Sequence, residues 1–351
     1  MAQDAIGPYL ALALQVPTHP VAGLADRQQV RSRISANIAS IGVALAASAP
    51  HLAEGNGLPL RLVVLPEYVL TGAPGGGSFA DWRRLACLEM NGPEYEALAA
   101  IASRGGFFLA GNAYEADPHF PDLYFQCSFV LGPDGEMALR YRRLISLYSP
   151  SPYDVWERYL DIYGLEGVYP VADTGIGRIA AVASEEILYP EIARCHVLRG
   201  AEILVHSTSE MGSPRPTAKE LARQARAAEN LAYVVSANTA GVPGTGLPAR
   251  SSTGMSKIVD FEGRILASAP PGGASIAAHG VIDVAGLREH RHRSGLANTL
   301  SRLPLQAFAA SYGQLTGRAA GELALSTGAS RSQLQELQAA TIARLAREGL
   351  V

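Results

Sequence analysis

The fold is decided by one segment of the chain, Ile179-Ala-Ala-Val-Ala-Ser-Glu-Glu-Ile-Leu-Tyr-Pro-Glu191. Its small apolar residues predict a buried strand. Tyr189-Pro190-Glu191 predicts the start of a helix, because proline is favoured in the first helical turn. Ser184 therefore stands at the turn between a strand and a helix, and a side chain at such a turn points away from the sheet, as an activated nucleophile must. The segment indicates an α/β protein with Ser184 as a candidate nucleophile.

The composition narrows the class of protein. The chain has 351 residues, of which 48% are hydrophobic and 17% charged, with a formal net charge of -3, and this is enough for a full α/β core. The near-neutral balance offers no electrostatic surface for nucleic acid or an anionic membrane, so we expect neither partner.

Further features of the sequence predict a cytoplasmic protein. The first residues lack the basic region of a signal peptide, and no apolar run approaches the ~20 residues of a membrane span. The sequence predicts no metal or cofactor. The scattered cysteines are typical of a reducing compartment and favour neither disulfides nor a zinc site; they are Cys87, Cys127 and Cys195.

Strand and helix patterns alternate through most of the chain, beginning with a predicted strand at residues 9–16 and a predicted helix at residues 28–47. Turn signals interrupt the alternation, above all Gly132-Pro-Asp-Gly135, which predicts a hairpin. Such a mixture of alternating elements and hairpins predicts a four-layer α-β-β-α sandwich, in which helices cover two packed sheets.

The character of the sequence changes after about residue 284. Arg288-Glu-His-Arg-His-Arg293 is typical of a solvent-exposed run, and residues 332–348 predict an amphipathic helix. We therefore expect one domain over residues 1–284 and a helical C-terminal extension over residues 285–351. The apolar stripe of that helix should pack on the body of the protein or on another subunit; it consists of Leu334, Leu337, Ile342 and Leu345.

Several ordered motifs accompany the strand–turn–helix segment around Ser184, which we call the elbow. Leu65-Pro-Glu-Tyr-Val-Leu-Thr-Gly72 closes a predicted strand, Tyr141-Arg-Arg-Leu144 follows the hairpin, and Glu157-Arg-Tyr-Leu-Asp-Ile-Tyr-Gly164 lies between them and the elbow. In their order and spacing, over residues 9–284, they resemble the nitrilase (carbon–nitrogen hydrolase) superfamily. The resemblance implies the sandwich fold, a homo-oligomer, and hydrolysis of a small amide, nitrile or carbamoyl substrate.

The resemblance also implies roles for individual residues. Glu67 matches the family's general base, Arg143 stands at the position of a catalytic lysine, and Ser184 stands at the position of the nucleophilic cysteine. Glu157 lies in the loop that resembles the one carrying the family's second glutamate, and the nearby Asp154 could serve instead. The candidate substrate-binding residues are Tyr68, Glu185, Tyr189 and Ser209.

Serine and arginine change the chemistry of such a site. A serine hydroxyl is far less acidic than a thiol and needs a well-placed base. Arginine can bind an oxyanion or a carboxylate but cannot release a proton near pH 7. The predicted function is thus a carbon–nitrogen hydrolase with an altered site.

Three other interpretations remain open. The pocket of a non-catalytic relative could bind a ligand or partner, Ser184 could be a small elbow residue, or Ser184 could have been introduced to trap a substrate. Arg143 could reflect a general exchange of lysine for arginine, although Lys219 and Lys257, the two lysines of the chain, escaped it.

Overall fold

In the computed structural model, the chain forms two β-sheets covered by helices, and the structure describes residues 6–24, 26–74, 78–213, 215–248, 251–314, 317–321 and 330–349. The first sheet has seven strands in the order β13-β1-β2-β4-β5-β6, with β3 paired to β4, and the second has six in the order β12-β11-β10-β9-β8-β7. The strands are β1 Tyr9–Ala13, β2 Leu60–Val64, β3 Leu88–Glu89, β4 Phe108–Ala116, β5 Phe125–Leu131, β6 Met137–Arg142, β7 Ala172–Thr174, β8 Gly177–Ala183, β9 Ile203–Thr208, β10 Tyr233–Asn238, β11 Lys257–Val259, β12 Ile265–Ser268 and β13 His279–Ile282.

The helices lie on the outer faces of the sheets. Strand β1 shows the layering, because its alternate side chains face opposite ways. Leu10 and Leu12 pack among residues of helices α1 and α3, whereas Tyr9 and Ala11 pack against the second sheet. The expected four-layer sandwich is confirmed. The helices are α1 Arg27–Asn56, α2 Phe79–Ala86, α3 Pro93–Gly105, α4 Trp156–Tyr163, α5 Pro190–Leu198, α6 Ala218–Asn230, α7 Val284–His292, α8 Leu305–Tyr312 and α9 Arg331–Arg347.

Parallel pairing within each sheet places strand ends together. Strands β1, β2 and β4 are parallel neighbours, and so are β8, β9 and β10. The predicted hairpin at Gly132–Gly135 joins β5 and β6, and Gly135 takes the left-handed backbone that its turn requires, with φ +87°.

Helix α1 is longer than expected, with 30 residues, and by length and composition alone it could cross a membrane. In this structure it covers the first sheet. Its inward face includes Val30, Ile34 and Ile38, which belong to the core between α1, α3 and the sheet.

The C-terminal residues pack on the sandwich. Helix α7 starts at the predicted domain boundary, and its Val284 and Leu287 are buried in the main core. The run predicted to be solvent-exposed is partly docked, since Arg288 binds Glu202 and Arg291 donates to backbone carbonyls.

Helix α9 packs beside α2 and α4. The predicted burial of its apolar stripe is confirmed for Leu334, which is 3% exposed, and for Leu337, which packs against the same cluster. Ile342 is 52% exposed and does not pack on the body of the protein, so its contact with another subunit stays a prediction.

Candidate active site

A pocket of about 280 Å³ opens where strands of the two sheets end. Glu67 follows β2, Arg143 follows β6, Ser184 follows β8 and Ser209 follows β9. The strand ends thus bring the predicted nucleophile, carboxylate and arginine into one pocket. The residues that line it are Glu67, Tyr68, Ala73, Pro74, Tyr114, Gln126, Arg143, Tyr148, Ser149, Ser184, Glu185, Ser209, Lys219 and Arg331.

Ser184 has the backbone of an elbow. Its φ of +48° lies in the left-handed region, which costs a non-glycine residue roughly 1–3 kcal/mol. His206 donates from Nε2 to the Ser184 carbonyl at 2.8 Å, and its Nδ1 accepts from the Ser236 hydroxyl, also at 2.8 Å. Burial holds the pKa of His206 well below its ordinary value, so the ring is neutral. A neutral histidine therefore fixes the strained turn that presents Ser184.

Glu186 supports the same turn from below. Its buried carboxylate accepts hydrogen bonds from the Tyr141 hydroxyl and from the backbone N–H groups of Leu144, Ile145 and Ala183, at 2.7–3.1 Å. Burial raises the pKa of Glu186 in spite of these donors. This carboxylate supports the turn that carries Ser184, and Glu186 is not among the residues that line the pocket.

Glu67 is held by three donors. Oε1 accepts from Gln126 Nε2 at 2.8 Å and from Arg143 Nη1 at 3.3 Å, and Oε2 accepts from the Ser209 hydroxyl at 3.1 Å. Among the described residues, Ser184 is not one of its hydrogen-bond partners. The predicted base is therefore placed in the pocket but does not contact the predicted nucleophile.

Arg143 is almost fully occupied by protein groups. Nε donates to the Ile145 carbonyl at 2.6 Å, and Nη1 donates to Gln126 at 2.7 Å and to Glu67. Nη2 lies 2.5 Å from Glu185 Oε1. A guanidinium has five N–H groups, so at most one, on Nη2, is left for a substrate. Arg143 therefore offers fewer hydrogen-bond donors to a ligand than the sequence alone predicts.

Lys219 is the site residue that sequence reasoning missed. It lies in the first turn of α6, and its Nζ is 3.0 Å from Ser184 Oγ and 3.5 Å from Thr208 Oγ1. Burial lowers the pKa of Lys219 below its ordinary value of 10.5. One signal was present in the sequence: lysine is almost absent from this chain, and Lys219 is one of its two lysines.

The remaining predicted residues divide into two groups. Tyr68 and Ser209 line the pocket and hydrogen-bond to each other. Tyr189 opens α5, is 41% exposed, and does not line the pocket. The expectation that Glu157 supplies a second acid is not met, because it is exposed on α4 and outside the pocket. Asp154 cannot replace it, since its buried carboxylate is taken by Ser151 and Arg318.

Two other features of the described chain bear on where a ligand or metal could bind. A larger hollow of about 880 Å³ lies between α1 and α3, and four of its charged side chains form two ion pairs, Arg27 with Glu89 at 3.3 Å and Arg31 with Glu94 at 2.7 Å. No cluster of His, Cys, Asp or Glu within the described ranges is arranged to hold a metal ion.

The chain belongs to the carbon–nitrogen hydrolase family, whose sequence profile matches residues 14–289. It is 26% identical over 244 residues to a formamidase of Bradyrhizobium diazoefficiens, covering 70% of this chain and 66% of that protein. It is 25% identical over 237 residues to the deaminated glutathione amidase of Yersinia enterocolitica, covering 67% and 79%.

Solved structures show the same fold. Nit3 of Saccharomyces cerevisiae, a nitrilase-superfamily member, matches with a TM-score of 0.63 at 18% identity, over 84% of this chain and 97% of that one. A cysteine-to-serine mutant of the Nesterenkonia AN1 amidase matches with a TM-score of 0.59 at 19% identity, over 89% and 100%. The predicted superfamily and its fold are confirmed.

Proposed function

We propose that this protein hydrolyses the carbon–nitrogen bond of a small amide-type substrate, with Ser184 as the nucleophile. One observation carries the proposal: Ser184 Oγ is presented on a strained elbow, inside a pocket, and within hydrogen-bond distance of a partly buried lysine. Strained backbone is retained where the surrounding structure and the function require it.

The size and polarity of the pocket support a small polar substrate. A volume of about 280 Å³ lies at the lower end of the range for ligand pockets, which suits a small amide. The amidase and formamidase relatives support the same class of substrate. Among the described residues, one N–H of Arg143 Nη2 has no protein partner, so it can donate to the oxyanion that forms when Ser184 attacks a carbonyl.

A second candidate is a non-catalytic pocket that binds a ligand. The observation that favours it is that Glu67, Gln126 and Glu185 accept most of the hydrogen bonds that Arg143 can donate. An arginine with these partners stabilises the folded site and has little capacity left to bind the oxyanion of a reaction intermediate.

Ammonia release from a panel of amides, nitriles and carbamoyl compounds separates the two candidates. Under the favoured function the wild type releases ammonia and S184A does not. If the wild type is inert on the panel, while a compound raises the melting temperature of wild type and S184A equally, the pocket is a binding site.

A further inference from the structure

We propose that Lys219 is the general base that removes the proton of Ser184, so that the site works as a serine–lysine pair. The inference rests on the proposed role of Ser184 as nucleophile. It assigns the proton transfer to Lys219 in the first turn of α6, in place of Glu67, the general base that the resemblance implied.

The geometry favours Lys219 over the other candidates. Its Nζ lies 3.0 Å from Ser184 Oγ, within the 2.6–3.2 Å reach that a general base needs. Glu67 has no such contact, and its oxygens accept from three other donors. Arg143 cannot accept a proton, since a guanidinium stays charged. Lys219 is thus the group that touches the reacting oxygen and can change its protonation state.

The surroundings of Lys219 make the neutral amine accessible. Four charged groups face it from other elements: Glu67 after β2, Glu185 after β8 and Glu210 after β9 favour the ammonium form, while Arg143 after β6 opposes it. Burial outweighs their sum and lowers the pKa of Lys219. A larger fraction of neutral amine is therefore present near neutral pH than for an exposed lysine.

The presence of lysine, and not arginine, at position 219 also supports a role as a general base. The chain has 29 lysines and arginines, and all but two are arginine. A position that only needed positive charge could be arginine, as at Arg143, whereas a base requires lysine. The other lysine, Lys257 on β11, forms an ion pair with Glu220 of α6 at 2.7 Å. Lys257 is therefore a matched control for Lys219.

The reaction balances with these groups and water alone. As Ser184 Oγ bonds to the amide carbon, its proton passes to neutral Lys219 Nζ and the carbonyl electron pair moves to oxygen. The carbonyl reforms, the C–N bond breaks, and the ammonium of Lys219 returns the proton to the leaving nitrogen, which departs as ammonia. Water then attacks the Ser184 ester, Lys219 takes its proton and passes it to the departing Ser184 Oγ, and the carboxylic acid is released.

The first test observes Lys219 directly. Protein grown with lysine labelled with ¹³C at Cε and ¹⁵N at Nζ should give two side-chain signals, assigned by their loss in K219M and K257R. We expect the Lys219 signal to titrate clearly below 10.5. A Lys219 whose signal titrates at or above its ordinary pKa of 10.5 would overturn the proposal, whatever the activity.

The second test measures kcat and KM for acetamide and p-nitrophenyl acetate in wild type, S184A, K219M, K219R and K257R. Removal of a general base costs about 10²- to 10⁴-fold in rate, so kcat should fall by that factor in both K219M and K219R, with KM little changed. In the wild type, kcat should rise with pH as Lys219 loses its proton. This rise should disappear in K219M and K219R, while K257R should keep the kcat, KM and pH profile of the wild type.

The outcomes separate this inference from the proposed function. If S184A is inert while K219M and K219R keep the wild-type kcat and pH profile, Ser184 is the nucleophile and Lys219 is not its base. If K219R alone keeps activity, Lys219 acts by charge, and the proposal is also wrong. A wild type that neither turns over nor acylates at Ser184 would overturn both. If K219M does not fold, judged by circular dichroism, K219R and the titration decide.

Discussion

Arg143 is predicted to be the main electrostatic support of the pocket, and Arg143→Met tests this. Its side chain is 6% exposed and pairs with Glu67, which is 4% exposed, and with Glu185, which is 31% exposed. Removing one partner of a buried ion pair leaves an uncompensated charge and costs about 3–5 kcal/mol. Because Glu67 would carry nearly all of that charge, we expect Arg143→Met to lower the free energy of unfolding by about 3–5 kcal/mol at pH 7.

The matched control is Glu185→Gln, which breaks the more exposed pair of the same arginine. Since a solvent-accessible pair contributes about 0–1 kcal/mol, we expect a loss of that size. Urea denaturation followed by circular dichroism measures both. Equal, small losses in the two variants at pH 7 would refute the reasoning.

Three further predictions address the nucleophile, the C-terminal helix and a buried histidine. Ser184→Cys should raise hydrolysis of the amide panel, because sulfur is the better nucleophile, and Ser184→Cys with Arg143→Lys should exceed either single change; a wild type that is fastest of the four contradicts this. Leu334→Asp should release α9, shown by faster proteolysis near residue 331, and should raise KM more than it lowers kcat, because Arg331 lines the pocket mouth; Ile342→Asp, at a position 52% exposed, is the control and should change neither. Burial lowers the pKa of His196 from its ordinary 6.5 to about 3, so the unfolded state binds more protons and stability should fall as the pH drops from about 6.5 towards 3; His196→Phe, measured by urea denaturation, should show a shallower fall.

The architecture was largely predictable because it depends on periodicity. Apolar strands, the two-residue alternation and the glycine turns are local signals, whereas the convergence of Glu67, Arg143 and Ser184 was implied by the resemblance of the ordered motifs to the carbon–nitrogen hydrolase family. These positions need no knowledge of side-chain conformation. The sequence therefore predicted where the pocket forms.

The contacts inside the pocket were less predictable. Glu157 was expected there from a motif, but in α4 it lies two residues from the buried Tyr159, and two residues correspond to about 200° around a helix, so its side chain faces solvent. Lys219 enters from a helix far along the chain, and only the tertiary packing of α6 against the elbow brings it to Ser184. Charge pairing also redirected Arg143 towards Glu67 and Glu185, which no local pattern reveals.

Glu186 has a consequence for how activity responds to stress. It accepts hydrogen bonds from Tyr141 on β6 of the first sheet and from Ala183 on β8 of the second, so one carboxylate clasps the two sheets beside the site. Arg143 follows a strand of the first sheet and Ser184 follows a strand of the second. The distance between these two side chains therefore depends on how the two sheets are positioned relative to each other. In mild denaturant, a displacement of one sheet against the other should abolish the proposed hydrolysis before the sheets unfold, so the far-UV circular dichroism should still be that of the native protein.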